Sequence, residues 1–245
     1  MGRAIRTALR DVPDLELAAC VARTCENIPE SQLVPCPWLT PDELFGDGAD
    51  LDPDSVVIDV SLAPGTARLL GWLERSPKPF VSATTGLGDR EEQRIRALAS
   101  KAPVLRTSNL SLGNAIVSRM FEALPVDAKA LFDIDVVEHH HVAKRDAPSG
   151  TSLLWASLLG ETARGGTPAE QSKPRSPGEV RIHSIRSGTA VGTHRAVLAG
   201  AGETIEIVHT VTDRTVFALG ALRAARFLHG KPPGLYKLEQ TLDDL

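Results

Sequence analysis

The sequence predicts an α/β protein in which a Rossmann-like doubly wound parallel sheet is joined to a second, α+β domain with a mixed or antiparallel sheet. Two observations carry this prediction. In the first half of the 245-residue chain, short β-rich runs alternate with helical patterns, the signature of consecutive βαβ units. In the second half, four strand-like runs follow one another mostly without intervening helices, which favours antiparallel pairing.

Taken in order, Ala4, Ile5, Ala8 and Leu9 fall at helical spacing. Leu15 to Val21 reads as a strand, Val56-Val-Ile-Asp-Val60 as a fully buried one, Phe80-Val-Ser-Ala-Thr84 as a third and Pro103-Val-Leu-Arg106 as a fourth, with helices expected over 65–75 and 89–100. Each strand ends in small or polar residues, where doubly wound folds place their ligand-binding turns. Beyond them, Phe132 to His141, Val180 to Arg186, Ala190 to Leu198 and Thr204 to Val211 alternate as strands do. A helix is expected to start after Ser149-Gly150, and another to run from Arg214 to Leu228 before Gly230 and Pro232 stop it. Gly160 to Gly178, rich in Gly, Pro and charge, is expected to be an exposed loop.

Composition excludes several classes of function. A net charge of −4 with scattered Lys and Arg gives no phosphate-tracking stripe, and a 4% aromatic content gives no base-stacking platform, so no nucleic-acid partner is expected. No stretch reaches about 18 apolar residues, and the charged N-terminus does not resemble a signal peptide. A cytoplasmic protein with no membrane association is the expectation. Cys20, Cys25 and Cys36 lack metal-ligand spacing and are expected to be free thiols, with Cys20 in a buried strand. Small-molecule chemistry is the reading that remains.

The chemistry concentrates in Glu138-His-His-His-Val-Ala-Lys-Arg-Asp-Ala-Pro-Ser-Gly-Thr151, fourteen residues rich in acid, base and anion-binding groups. In a strand His139 and His141 face one way and His140 the other, so the three histidines divide their tasks. Pro148-Ser149-Gly150-Thr151 has the form of a helix start, whose amides and hydroxyls suit a carboxylate or phosphate, and Lys144 adds a positive charge. An imidazole beside a bound anion holds its proton more readily and becomes a competent general acid. Taken singly, a His run or an N-capping Ser is commonplace. Together they make one coherent anion site, and no Cys or acidic pattern completes a metal site, so no metal is expected.

The whole segment resembles the signature of the dihydrodipicolinate reductase family: Glu-x-His-His, a lysine, then Asp-Ala-Pro-Ser-Gly-Thr. Further matches follow in the same order: Ala83-Thr-Thr-Gly86, Ser108-Asn-Leu-Ser-Leu-Gly113, Arg186-Ser-Gly-Thr-Ala-Val-Gly-Thr-His194, Glu203-Thr-Ile-Glu-Ile-Val-His209, Arg214-Thr-Val-Phe-Ala218 and Gly234-Leu-Tyr236. The resemblance implies NAD(P)H-dependent reduction of 4-hydroxy-tetrahydrodipicolinate to tetrahydrodipicolinate, in lysine and diaminopimelate biosynthesis. It implies His140 as proton donor assisted by Lys144, and His141, Gly150 and Thr151, with Ser149 in the same turn, as holders of the substrate's carboxylates. It implies cofactor contacts from Ala83, Thr84 and Thr85 and from Thr107, Ser108, Asn109 and Leu110. Ala83 stands where the family's turn has its first glycine. A homotetramer joined through the second domain is also implied.

Met1-Gly-Arg-Ala-Ile5 looks like the tail of the family's Gly-x-x-Gly-Arg-Met-Gly-Arg element, so the first strand and most of the glycine-rich turn are expected to be missing. Arg23, just past the second strand, lies where such enzymes read the ribose, with Ala22 in place of the common acid. A cation there suits a 2′-phosphate, so the cofactor reading leans to NADPH over NADH. The expected domains are residues 1–110 completed by 214–245 for the nucleotide, and 111–213 for substrate binding and oligomerisation. The missing turn is the one support for a second reading, a truncated non-catalytic paralogue that binds a dicarboxylate or assembles with intact subunits. An amino-acid dehydrogenase of the same superfamily is disfavoured by the complete Asp-Ala-Pro-Ser-Gly-Thr segment.

Overall fold

The structure is a computed structural model that describes residues 1–22, 36–46, 51–160, 162–165 and 173–243. It divides into two compact units, Met1–Leu110 with Thr215–Leu245, and Ser111–Arg214. Among the described residues, no helix is long and apolar enough to cross a membrane.

The first unit begins with α1 (Gly2–Ala8) and a two-stranded parallel sheet of β1 (Cys20–Val21) and β2 (Trp38–Leu39). Next comes α2 (Pro41–Phe45), which starts at a Thr40/Glu43 capping box. Then follow β3 (Val57–Asp59), α3 (Ala63–Leu73), β4 (Phe80–Ser82), α4 (Asp89–Leu98) and β5 (Pro103–Arg106). This is the alternation that the sequence predicts. Leu69, Leu70 and Leu73 of α3 and Ile95 and Leu98 of α4 bury one face of each helix with Phe80 and Val104 of the sheet. Asp89, Glu91 and Glu92 in the first turn of α4, with Arg96 near its end, also suit the helix dipole.

The closing helix of the chain, α8 (Thr215–Leu228), returns to this unit and packs on β3, β4, β5 and α1. Its buried face is mostly alanine, which permits close approach to the sheet. After it, β11 (Gly234–Tyr236) pairs in parallel with β5, giving the order β11-β5-β4-β3. The parallel strands thus lie in two sheets. β1 covers two residues rather than the expected seven, and Cys20 is half-buried rather than buried. Cys20 and Cys36 are free thiols, while Cys25 and Arg23 lie outside the described residues.

The second unit is a five-stranded mixed sheet in the order β10 (Glu203–Val211), β9 (Gly192–Gly200), β6 (Asp133–His140), β8 (Glu179–Arg186), β7 (Thr162–Gly165). In the chain α5 (Leu112–Glu122) and α6 (Val126–Lys129) precede β6, and α7 (Gly150–Leu159) follows it. β6 pairs in parallel with β8 and antiparallel with β9. Along β6 burial alternates, so Ile134, Val136, Glu138 and His140 face inward. Phe121 of α5 and Trp155 of α7 meet edge-on at 5.2 Å over that face, and the Trp155 indole N–H donates to Asn114 at 2.9 Å. One expectation fails: Gly160 to Gly178 is not loop throughout, because Thr162–Gly165 pairs in parallel with β8 as an edge strand.

Candidate active site

The inner face of β6 ends at His140, and the chain leaves the sheet there. The His141 amide donates to Ala190 at 2.9 Å, and the Lys144 amide to the His141 carbonyl at 3.1 Å, which closes a turn. Ser149 then caps α7, its hydroxyl accepting from the Ser152 amide at 3.3 Å, so Pro-Ser-Gly-Thr is a true helix start. Ser149 and Thr151 are buried, whereas His141, Lys144 and Gly150 are half-buried. Lys144 donates to Asp146 at 2.8 Å, and Arg214 lies 3.3 Å from His141 Nε2. His139, outside the cluster, meets the Ser187 hydroxyl at 2.8 Å.

Glu138 is a group to which the sequence pattern assigns no role. Its carboxylate accepts from the Ser149 amide at 3.1 and 3.2 Å, Ser152 Oγ at 2.8 Å, Ser184 Oγ at 2.7 Å and Arg186 Nη2 at 2.7 Å. Strand register brings the distant partners together, with Glu138 opposite Ser184 and His194, and His140 opposite Arg186. His194 Nε2 lies 3.1 Å from Ser149 Oγ, and its ring stands 5.1 Å from that of His140. Arg186 and His194 fall in matched motifs, but only the pairing of β6 with β8 and β9 reveals their place.

These contacts set the protonation states. Burial alone would raise the Glu138 carboxyl, but the hydrogen bonds from Ser149, Ser184, Arg186 and Ser152 outweigh it and hold the group at about 2. Burial pushes His140 down to about 4; Glu138 and Asp146 oppose that shift, while Lys144 and Arg186 add to it. Burial, with His140 beside it, pushes His194 down to about 3. The expected bias towards a protonated histidine is therefore reversed in the protein alone, because desolvation outweighs the nearby carboxylate. Glu138, His140 and His194 place possible metal-ligand atoms within 4.8 Å of one another, so the fold does supply the acidic partner that the sequence pattern lacked. Glu138 already accepts from four donors, and the guanidinium on one oxygen opposes a second cation there.

A stability prediction follows. The folded protein withholds protons from His140, His194 and His209, the last also lowered by burial, that the unfolded chain accepts once the pH drops below about 6.5. Stability should therefore decline as pH falls from 6.5 towards the folded values, with Glu138 adding a loss between 4.5 and about 2. Calorimetric Tm is expected to fall steadily from neutral pH to about 4, and His194→Gln to flatten that slope. A Tm independent of pH over this range would contradict the assigned states.

In the first unit, the predicted turns follow β4 and β5, adjacent parallel strands whose C-terminal ends share an edge. Thr84 is buried and donates to Asp59 Oδ2 at 3.1 Å, Ala83 is half-buried and Thr85 exposed. Gly86 closes the turn at φ +72°, a backbone state suited to glycine. Asp59, buried at the end of β3, also accepts from Thr66 Oγ1 at 2.5 Å and the Ser61 amide at 3.0 Å. In the other turn, Thr107 Oγ1 donates to the Asn109 carbonyl at 2.8 Å; Ser108 is exposed and Leu110 buried. Asp59, an acid inside the apolar run 56–60, thus ties the end of β3 to α3 and to the turn after β4.

The family model of the dihydrodipicolinate reductase N-terminus matches residues 1–110, and that of the C-terminus residues 113–242. This chain belongs to the dihydrodipicolinate reductase family. It is 37% identical over 244 residues to a 4-hydroxy-tetrahydrodipicolinate reductase of Xanthomonas campestris, covering 99% of this chain and 93% of the relative. It is 38% identical over 203 residues to one from a Nitratiruptor species, covering 78% of each. The fold is similar to that of a dipicolinate-bound dihydrodipicolinate reductase from Paenisporosarcina sp. TG-14, with a TM-score of 0.73 and 23% identity over 98% of this chain and 94% of that one.

Proposed function

We propose that this protein reduces 4-hydroxy-tetrahydrodipicolinate to tetrahydrodipicolinate with a nicotinamide cofactor, in lysine and diaminopimelate biosynthesis. One observation carries the reading: within a single unit, the family signature folds into a helix start with His140, His141 and Lys144 in the adjoining strand end and turn. In the reaction a hydride and a proton are taken up and the hydroxyl leaves as water. His140 provides the proton with help from Lys144, whereas His141, Ser149, Gly150 and Thr151 hold the two carboxylates. Bound dicarboxylate adds negative charge beside His140 and opposes the depression that burial imposes.

The paired strand-end turns in the first unit suit a dinucleotide, because backbone exposed there is braced from below by buried Asp59 and by the Thr107–Asn109 bond. The nicotinamide supplies the hydride. Ala83, Thr84, Thr85, Thr107, Ser108, Asn109 and Leu110 hold the cofactor in this reading, with 1–110 and 214–245 as the nucleotide domain and 111–213 as the substrate domain. Arg23 favours NADPH over NADH. Assembly as a cytoplasmic homotetramer joined through the second unit is part of this reading.

Turnover of the purified protein with the cyclic substrate, followed by loss of reduced nicotinamide absorbance, is expected with either cofactor and faster with NADPH. Tight binding of dipicolinate with no cofactor oxidation would instead support the non-catalytic dicarboxylate binder.

A further inference from the structure

The inward row of β6 reads Ile134, Val136, Glu138, His140, so an ionised side chain stands where the pattern builds core. Glu138 has no solvent exposure and satisfies its oxygens with donors from the start of α7 and from β8. An apolar residue would fill that position without needing four polar partners to compensate for lost hydration. The arrangement has a counterpart on the imidazole side. Among the described residues, His140 Nδ1 is buried without a hydrogen-bond partner and lies 3.8 Å from Glu138 Oε2. Once the ring carries both protons, Nδ1–H needs an acceptor, and a side-chain shift of about 1 Å would bring it to charge-assisted hydrogen-bond distance from that oxygen.

We propose that Glu138 is a positioning residue for the reaction, acting as the buried counter-charge that receives the Nδ1–H of protonated His140 while fixing the start of α7 through the Ser149 amide. One carboxylate thereby aligns the proton donor with the turn that holds the substrate. This inference rests on the proton-donor role of His140. Among the described residues, the other charged or titratable groups around that imidazole are Lys144 and Asp146 from the following turn, Arg186 from β8 and His194 from β9, with His209 of β10 acting on His194. Lys144 and Arg186 disfavour the imidazolium and Asp146 favours it. Asp146 is exposed, so water screens it far more than it screens Glu138.

The test compares Glu138→Gln and Glu138→Asp with the parent enzyme. A general acid loses activity as pH rises through its pKa in the bound complex, so removing the counter-charge should move the falling limb of kcat to lower pH. A displacement of about one unit is expected in Glu138→Gln, hence about tenfold lower kcat above the limb. Glu138→Asp keeps the charge but draws it back, and a smaller displacement in the same direction is expected, which decides the matter alone if the glutamine variant does not fold. Equal loss at every pH in both variants, with the limb unmoved, would overturn the proposal by reducing Glu138 to a structural brace. NMR titration of the His140 imidazole with dipicolinate bound separates the two layers of inference. An unmoved His140 titration in the variants sinks the role of Glu138; a moved titration with an unmoved kinetic limb supports the coupling and sinks the proton-donor role instead.

Discussion

Replacing His140 by glutamine is expected to lower kcat by about 10²–10⁴-fold, and the His140→Gln/Lys144→Ala double variant to show no measurable turnover, while cofactor affinity stays within about twofold of the parent. The magnitude is that of losing a positioned proton donor. Glutamine preserves most of the ring's volume beside His194, and no ionised group is lost, because burial keeps His140 neutral near neutral pH. Lys144 makes a partly exposed ion pair with Asp146, and such pairs contribute at most about 1 kcal/mol, so its removal should not unfold the unit. Both residues belong to the second unit, whereas the proposed cofactor turns belong to the first. Steady-state kinetics gives kcat, and fluorescence titration with the reduced cofactor gives binding. Unaltered turnover would remove the role assignment; loss of cofactor binding would show that the substitutions disturb more than proton supply.

Much of the fold is legible because periodicity is a strong signal in long elements. The alternation of β6, β9 and β10 and the apolar stripes of α3 and α4 can be read directly from the chain. Elements whose order comes from partners are not. β7 sits in a Gly- and charge-rich segment of low strand propensity, and its pairing with β8 supplies what its residues lack. α5 buries Asn114 and Ser118 among its apolar residues, which breaks the stripe, and Asn114 is there to accept from the Trp155 indole.

The same distinction governs the site. The signature turn is local, so Ser149 could be placed at a helix start from sequence alone. Glu138 could not be placed in the same way, since an acid within a strand ordinarily marks the solvent face. Its inward position depends on register, as do Arg186 and His194, which lie some fifty residues further along and arrive opposite His140 and Glu138 through two different neighbouring strands. Asp59 is a similar case: its partners Thr66 and Thr84 come from the next helix and the next strand end, so its bracing role exists only in three dimensions.

Gly220→Ala is expected to be the most damaging single-methyl change in the first unit. Gly220 lies on the buried face of α8, and a Cβ there would fall inside the van der Waals envelope of the Leu110 carbonyl oxygen. A flexible side chain could swing aside, but this obstacle is backbone, and it follows directly on the Thr107–Asn109 turn. Relief requires α8 to move off, loosening Ala218, Ala221, Ala224 and Ala225, the small residues that let the helix lie close. Alanine gains about 1 kcal/mol in helix propensity, whereas overpacking of this kind costs about 3 kcal/mol or more, so the clash decides the sign. For a chain of this size a net loss of about 2–3 kcal/mol corresponds to a Tm lower by about 4–12 °C, readable by calorimetry. Because Leu110 closes a proposed cofactor turn, KM for the cofactor should also rise. Gly71→Ala in α3 is the control, since among the described residues a Cβ there meets only Arg94 Nη2 at an ordinary 3.5 Å, and its Tm should hold or rise slightly. Equal melting temperatures for Gly220→Ala and the parent would mean that α8 does not approach Leu110 this closely.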